Sequence, residues 1–152
     1  MGYRNRLLKI AIIVVGMVVS IACYGDLPSD LHGLTAAMES SDMGVQAAAA
    51  ERIDRQFGKT GLLTALRDGG PGARAQAARR LSRFKDLEVL QALIPVAQRD
   101  ANRQARYAAI SALGLIGDRQ ARDALIGMKQ DSDPLVREGV QDALRQLDRA
   151  AK

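Results

Sequence analysis

Three aspartates each stand six residues before an arginine: Asp68 before Arg74, Asp100 before Arg106 and Asp131 before Arg137. A carboxylate in a turn can accept backbone N–H bonds while pairing with a guanidinium, and such charge-assisted bonds fix orientation as well as adding energy. The aspartates follow one another at 32 and 31 residues, a period that marks stacked repeats, so the pairs are expected to form a structural ladder. Residues suited to catalysis are scarce. His32 is the only histidine and Cys23 the only cysteine; a Ser/His/Asp or Cys/His site would depend on that one histidine, and a zinc site has too few ligands. The close carboxylates Asp131/Asp133 and Asp86/Glu88 are accounted for by turns and caps, and the GGPG at residues 69–72 lacks the Lys-Ser/Thr of a phosphate-binding loop. No catalytic residue, metal or cofactor is expected.

The repeats must sit on helices, but the first 22 residues are set apart from any fold. Arg4, Arg6 and Lys9 make a cationic start, and Ile10 to Ala22 is an apolar run without a charge, followed by Cys23. The stretch SIAC resembles a bacterial lipobox, with Ala22 small enough for cleavage and Ser20 in place of the usual leucine. The reading is a signal segment, 1–22, with Cys23 as the lipidation site and 23–29 as a short tether. An uncleaved anchor and ordinary cleavage near Cys23 stay open, and each places the domain outside the cytoplasm. Of 22 Lys+Arg against 17 Asp+Glu, three cations lie in that segment, leaving 19 against 17, so the basic character is weak evidence for nucleic acid.

Residues 30–152 are long enough for one domain with a core. With 3% aromatics and abundant alanine and leucine, they suit close helix packing. Gly70 precedes Pro71, Asn102 precedes Arg103 and Asp133 precedes Pro134; Asn and Asp cap helices and proline is favoured at the first helical position. Asp42 fits the same slot in a degenerate first unit, where Gln46 replaces the arginine. The second helices then align by apolar residues: Ala77, Leu81, Phe84; Ala109, Leu113, Ile116; Val140, Leu144, Leu147. Gly117 can take a left-handed terminating conformation.

Ala108 to Leu144, AAISALGLIGDRQARDALIGMKQDSDPLVREGVQDAL, resembles the HEAT repeat, and specifically the phycobilisome-lyase-like branch. The resemblance spans about Asp42 to Leu147. It implies an all-α, right-handed α-solenoid of about four helix pairs in which an aspartate ends the inter-helix turn and an arginine starts the second helix, the two forming a ladder from repeat to repeat. The GGPG turn is expected to be unusually flexible.

In HEAT repeats the second helices line the concave surface, and repeat proteins use such surfaces for partners. One aligned row reads Glu51, Arg79, Ser111, Asp142 and another Arg55, Arg83, Leu115, Gln146, with Tyr107 near the middle. Arg79, Arg83, Tyr107 and Ser111 are therefore the candidate partner-binding residues, with Arg79, Arg80 and Arg83 the strongest local charge bias. The expectation is an exported, membrane-anchored, non-catalytic interaction module of the bacterial envelope, facing the periplasm or exterior. A protein partner, possibly acidic, is expected, with a lipid-anchored membrane contact and no nucleic acid. The alternative implied by the resemblance is a lyase-like enzyme or enzyme subunit related to phycobilin lyases.

Overall fold

The computed structural model describes residues 27–150. The signal segment, Cys23 and residues 23–26 of the tether lie outside the described residues. Those described form α1 (Leu31–Ala37), α2 (Met43–Asp68), α3 (Pro71–Leu81), α4 (Leu87–Arg99), α5 (Arg103–Ile116), α6 (Arg119–Gly127) and α7 (Pro134–Ala150), with no strand among them. Helix α2 is broken at Gly58, whose φ of 57° and ψ of −148° belong to a region that favours glycine. Its first half pairs with α1 and its second half with α3; α4 pairs with α5, and α6 with α7. The four pairs make an α-solenoid. Helices α3, α5 and α7 pack densely side by side, whereas the outer helices α4 and α6 touch sparsely. The outer layer therefore fans out and the inner layer is the concave side.

Local chemistry explains the helix starts. The carboxylate of Asp42 accepts from Gly44 and Val45 N–H, Asp86 from Val89, Asn102 from Gln104 and Ala105, Asp118 from Gln120, and Asp133 from Leu135. Gly117 ends α5 in the left-handed conformation, φ 82°. The start of α3 has no side-chain cap of its own. Glu39, from the preceding turn, supplies one: its carboxylate accepts from Gly72 N–H at 3.1 Å and Ala73 N–H at 2.7 Å. The GGPG turn is thus a docking seat for the Glu39 carboxylate. A Cβ on Gly72 would stand 2.3 Å from the Met38 carbonyl oxygen, and one on Gly70 2.6 Å from the Glu39 carboxyl carbon.

The core runs unbroken through all four pairs. Leu34, Met38, Ile53, Leu62, Leu81, Leu93, Ile110, Leu113, Leu125 and Val140 are fully buried, and the aligned apolar triads face this core, with Phe84 half-buried at its edge. Small residues set the helix spacing. Ala105, Ala108, Ala109 and Ala112 are buried on α5, and a Cβ on Gly114 would meet Ala143 Cβ at 2.8 Å, so α5 and α7 approach to near backbone contact.

Candidate functional site

The arginine row is the most regular polar feature, and its register differs from the pairing expected within each repeat. Arg106 donates through Nη1 to the backbone carbonyl of Asp100 at 2.9 Å, and Arg137 to that of Asp131 at 2.6 Å. Gln46 does the same to Ser40 at 2.6 Å in the first unit. Arg74 reaches the Gly69 carbonyl at 2.8 Å. The carboxylate partner comes from the following turn. Arg74 forks onto Asp100 at 2.5 and 2.9 Å, and Arg106 lies 3.5 Å from Asp133. Asp68 pairs with its neighbour Arg67 at the surface. The carboxylates of Asp100 and Asp131 accept the N–H groups of Asn102 and Asp133 inside their own turns, each at 2.8 Å.

Asp100 is nearly enclosed, with 5% of its side chain exposed. Burial alone would push its carboxyl up. The Arg74 fork and the Asn102 N–H prevail and hold it below the usual carboxylate range.

On the inner face, Arg79 is exposed, Tyr107 is 44% and Leu115 55% exposed, and Ser111 is half-buried between the last two. The cationic cluster on α3 is less free than its sequence suggests. Arg83 bonds the carboxylate of Asp54, a buried acid on α2, and stacks over the Phe84 ring at 4.6 Å. Arg80 lies 3.8 Å from the same carboxylate and donates to the Ala47 carbonyl at 3.3 Å. The stretch from Gly69 to Lys85 contains no acid, but the preceding inner helix provides one. The repeat alignment holds the signal: Arg80 fills the slot of Ala143, and Asp54 that of Gly114, so an ion pair replaces the small-residue contact found between α5 and α7. Tyr107 lies against Gly139, where an added Cβ would stand 2.8 Å from the ring.

Two grooves flank this framework. One, of about 520 Å³, lies between the second half of α2 and α4, floored by Leu63, Leu66, Ala92, Pro95 and Val96 and rimmed by Arg67, Arg99, Glu88 and the Arg74–Asp100 pair. The other, of about 550 Å³, lies along the first half of α2 beside Leu27 and is lined by Glu51, Arg52 and Arg55; the Leu27 carbonyl accepts from Arg52 at 3.1 Å. His32 is exposed on α1. Among the described residues no three His, Cys, Asp or Glu side chains gather as a metal site, and no helix is long and apolar enough to cross a membrane.

Comparison with known proteins follows the same lines. Residues 90–152 match the family model of HEAT repeats. The chain is 33% identical over 122 residues to the bilin biosynthesis protein PecE of Nostoc sp., covering 74% of this chain and 48% of the relative. It is 33% identical over 139 residues to PecE of Mastigocladus laminosus, covering 85% and 52%. The chain thus spans about half the length of the curated relatives it matches. Among solved structures, human deoxyhypusine hydroxylase in complex with glycerol superposes with a TM-score of 0.62 at 21% identity, covering 80% of this chain and 44% of that one. The complex of CpcE and CpcF of phycocyanin lyase from Nostoc sp. gives 0.54 at 23%, covering 80% and 55%. These two likenesses show the fold.

The relatives overturn the expectation of a non-catalytic scaffold. That expectation rested on a single histidine and cysteine and on an export segment, but missing triads and zinc ligands exclude only the chemistries that need them. Catalysis by holding reactants together requires no such set. The chain is an α-solenoid with HEAT repeats at residues 90–152, similar in sequence to bilin biosynthesis proteins.

Proposed function

We propose that this chain is a lyase-like enzyme subunit that holds a bilin and works with a protein partner. The observation that carries the reading is the 33% identity to PecE sustained over 85% of the chain. A bilin is a linear tetrapyrrole, with an extended apolar body and carboxylate side chains. The groove between α2 and α4 complements both parts. Its floor is aliphatic and its volume of about 520 Å³ lies in the range of small-molecule sites. Arg99 at the rim has no ion-pair partner among the described residues, whereas Arg67 is held by Asp68. Arg99 is the guanidinium available to a carboxylate. The subunit's contribution to reaction is positioning, with the inner helix face left to the partner.

Titrating the purified chain with a free bilin, followed by absorbance, tests this. Val96→Trp, which fills the groove, is expected to weaken binding at least about tenfold, and Arg99→Glu about fivefold, the scale of one ion pair. Thermal melts check that both variants fold. If the parent does not bind bilin the reading fails, and if folded variants bind like the parent the groove is the wrong site.

A separate proposal concerns export: the lipobox-like SIAC motif supports a diacylglyceryl group on Cys23 and an envelope location. Acyl labelling of the parent and of Cys23→Ala decides it, since labelling that survives the substitution removes the anchor.

A further inference from the structure

Several charges on the inner face are paired, while Arg79 and Glu138, of opposite sign, flank α5 without a partner among the described residues. Glu51 pairs with Arg55, Arg83 with Asp54, and Asp142 with Arg145. Arg79 on α3 and Glu138 on α7 are exposed and have no ion-pair partner among the described residues. Between them, on α5, stand Tyr107, Ser111 and Leu115. A path across three inner helices therefore meets a cation, an apolar ridge and an anion.

The ridge is notched. Tyr107 and Leu115 are eight residues apart, about 12 Å along a helix, and half-buried Ser111 lies midway. Once the flanking side chains take their share of that gap, it admits an extended strand, which needs about 5 Å beside its neighbours, but not a helix about 10 Å across. Adjacent helices pack about 8–10 Å apart, so Arg79 to Glu138 covers two spacings, roughly 20 Å. At about 3.3 Å per residue an extended chain crosses that distance in about six residues.

We propose that the inner face binds an extended segment of a partner protein, with an acidic and a basic residue about six positions apart and an apolar residue midway. The acid meets Arg79, the apolar side chain lies in the Ser111 notch against Tyr107 and Leu115, and the base meets Glu138. This rests on the subunit reading only in taking the occupant to be a protein.

The test uses three end-capped fluorescent heptapeptides with Leu at the centre: one with Asp and Lys at its ends, one with Asp at both and one with Lys at both. Polarisation with the full chain at low salt should show the mixed peptide binding about fivefold more tightly than either like-charged one. Glu138→Arg should shift the preference to the diacidic peptide, Arg79→Glu should shift it to the dibasic peptide, and Ser111→Trp should abolish binding of all three. Equal binding of the three peptides, no binding of any, or a preference unmoved by the charge changes would overturn the proposal. Bilin titration of the same samples keeps the two readings apart, because loss of peptide discrimination with bilin binding intact removes only this one.

Discussion

Asp100→Ala is expected to cost about 3 kcal/mol of folding stability, the lower end of the range for breaking a buried ion pair, because Arg74 keeps partial access to water. The Asp100 carboxylate is 5% exposed and the Arg74 side chain 22%. Removing the acid leaves a guanidinium wedged between two repeats with only the Gly69 carbonyl to bond, and also frees the Asn102 N–H at the turn. Asp68→Ala should leave the urea midpoint close to the parent's, since that acid is at the surface. Urea melts of single and double variants would locate the coupling. Asp100→Ala with Arg74→Ala should lose clearly less than the sum of the singles. Asp100→Ala with Arg106→Ala should be close to additive, because Arg106 holds the Asp100 carbonyl, which alanine retains. The opposite pattern would return the pairing to the interior of each repeat.

The same pair gives acid sensitivity a sign. The folded Asp100 carboxyl is held below its ordinary range, so its contribution is fully present above the unfolded value near 3.9 and is lost as pH falls through the lower folded value. Other lowered carboxylates, Asp30, Asp68 and Asp86, add to the slope, so the difference between parent and Asp100→Asn is the useful quantity. It should shrink below about pH 4. A difference that stays constant from neutral pH to pH 2 would show that the Asp100 charge is not what stabilises the fold.

The architecture was legible because each unit repeats its own instructions. Asp42, Asn102 and Asp133 cap where their spacing from the apolar triads places them, and Gly117 takes its left-handed turn. Partner choice was not legible, because an alignment of repeats shows equivalence of positions rather than direction of contact. Arg74 sits six residues from Asp68 and 26 from Asp100, and only the stacking of helix on helix brings the distant acid nearer. Asp54 was missed for the same reason, since its bond to Arg83 crosses 29 residues. Glu39 escaped because a cap supplied by a neighbouring repeat has no local signature. The error about catalysis had another source: counting histidines and cysteines tests only for the mechanisms that need them.

Gly114→Ala is expected to uncouple the last helix pair from the rest of the solenoid. The new Cβ would stand 2.8 Å from Ala143 Cβ and 2.9 Å from Ala143 Cα, and neither atom belongs to a side chain that can swing aside. Helices α5 and α7 must separate, at the cost of overpacking, about 1–3 kcal/mol. The same seam carries Tyr107 against Gly139, so separation also loosens that contact. In a repeat protein stability is nearly a sum of unit and neighbour-interface contributions, so weakening one interface splits the cooperative unit instead of lowering it evenly. Hydrogen exchange should therefore quicken in α6 and α7 while α3 and α4 keep their protection, and the urea transition should broaden or divide. Adding Ala143→Gly removes the Cβ contact but leaves the Ala143 Cα at 2.9 Å, so it should recover only part of the loss, glycine's own cost in a helix of about 1 kcal/mol also counting against it. A Gly114→Ala protein that melts and exchanges like the parent would mean that the inner helices can repack around an extra methyl, and that close approach is not what ties the last pair to the array.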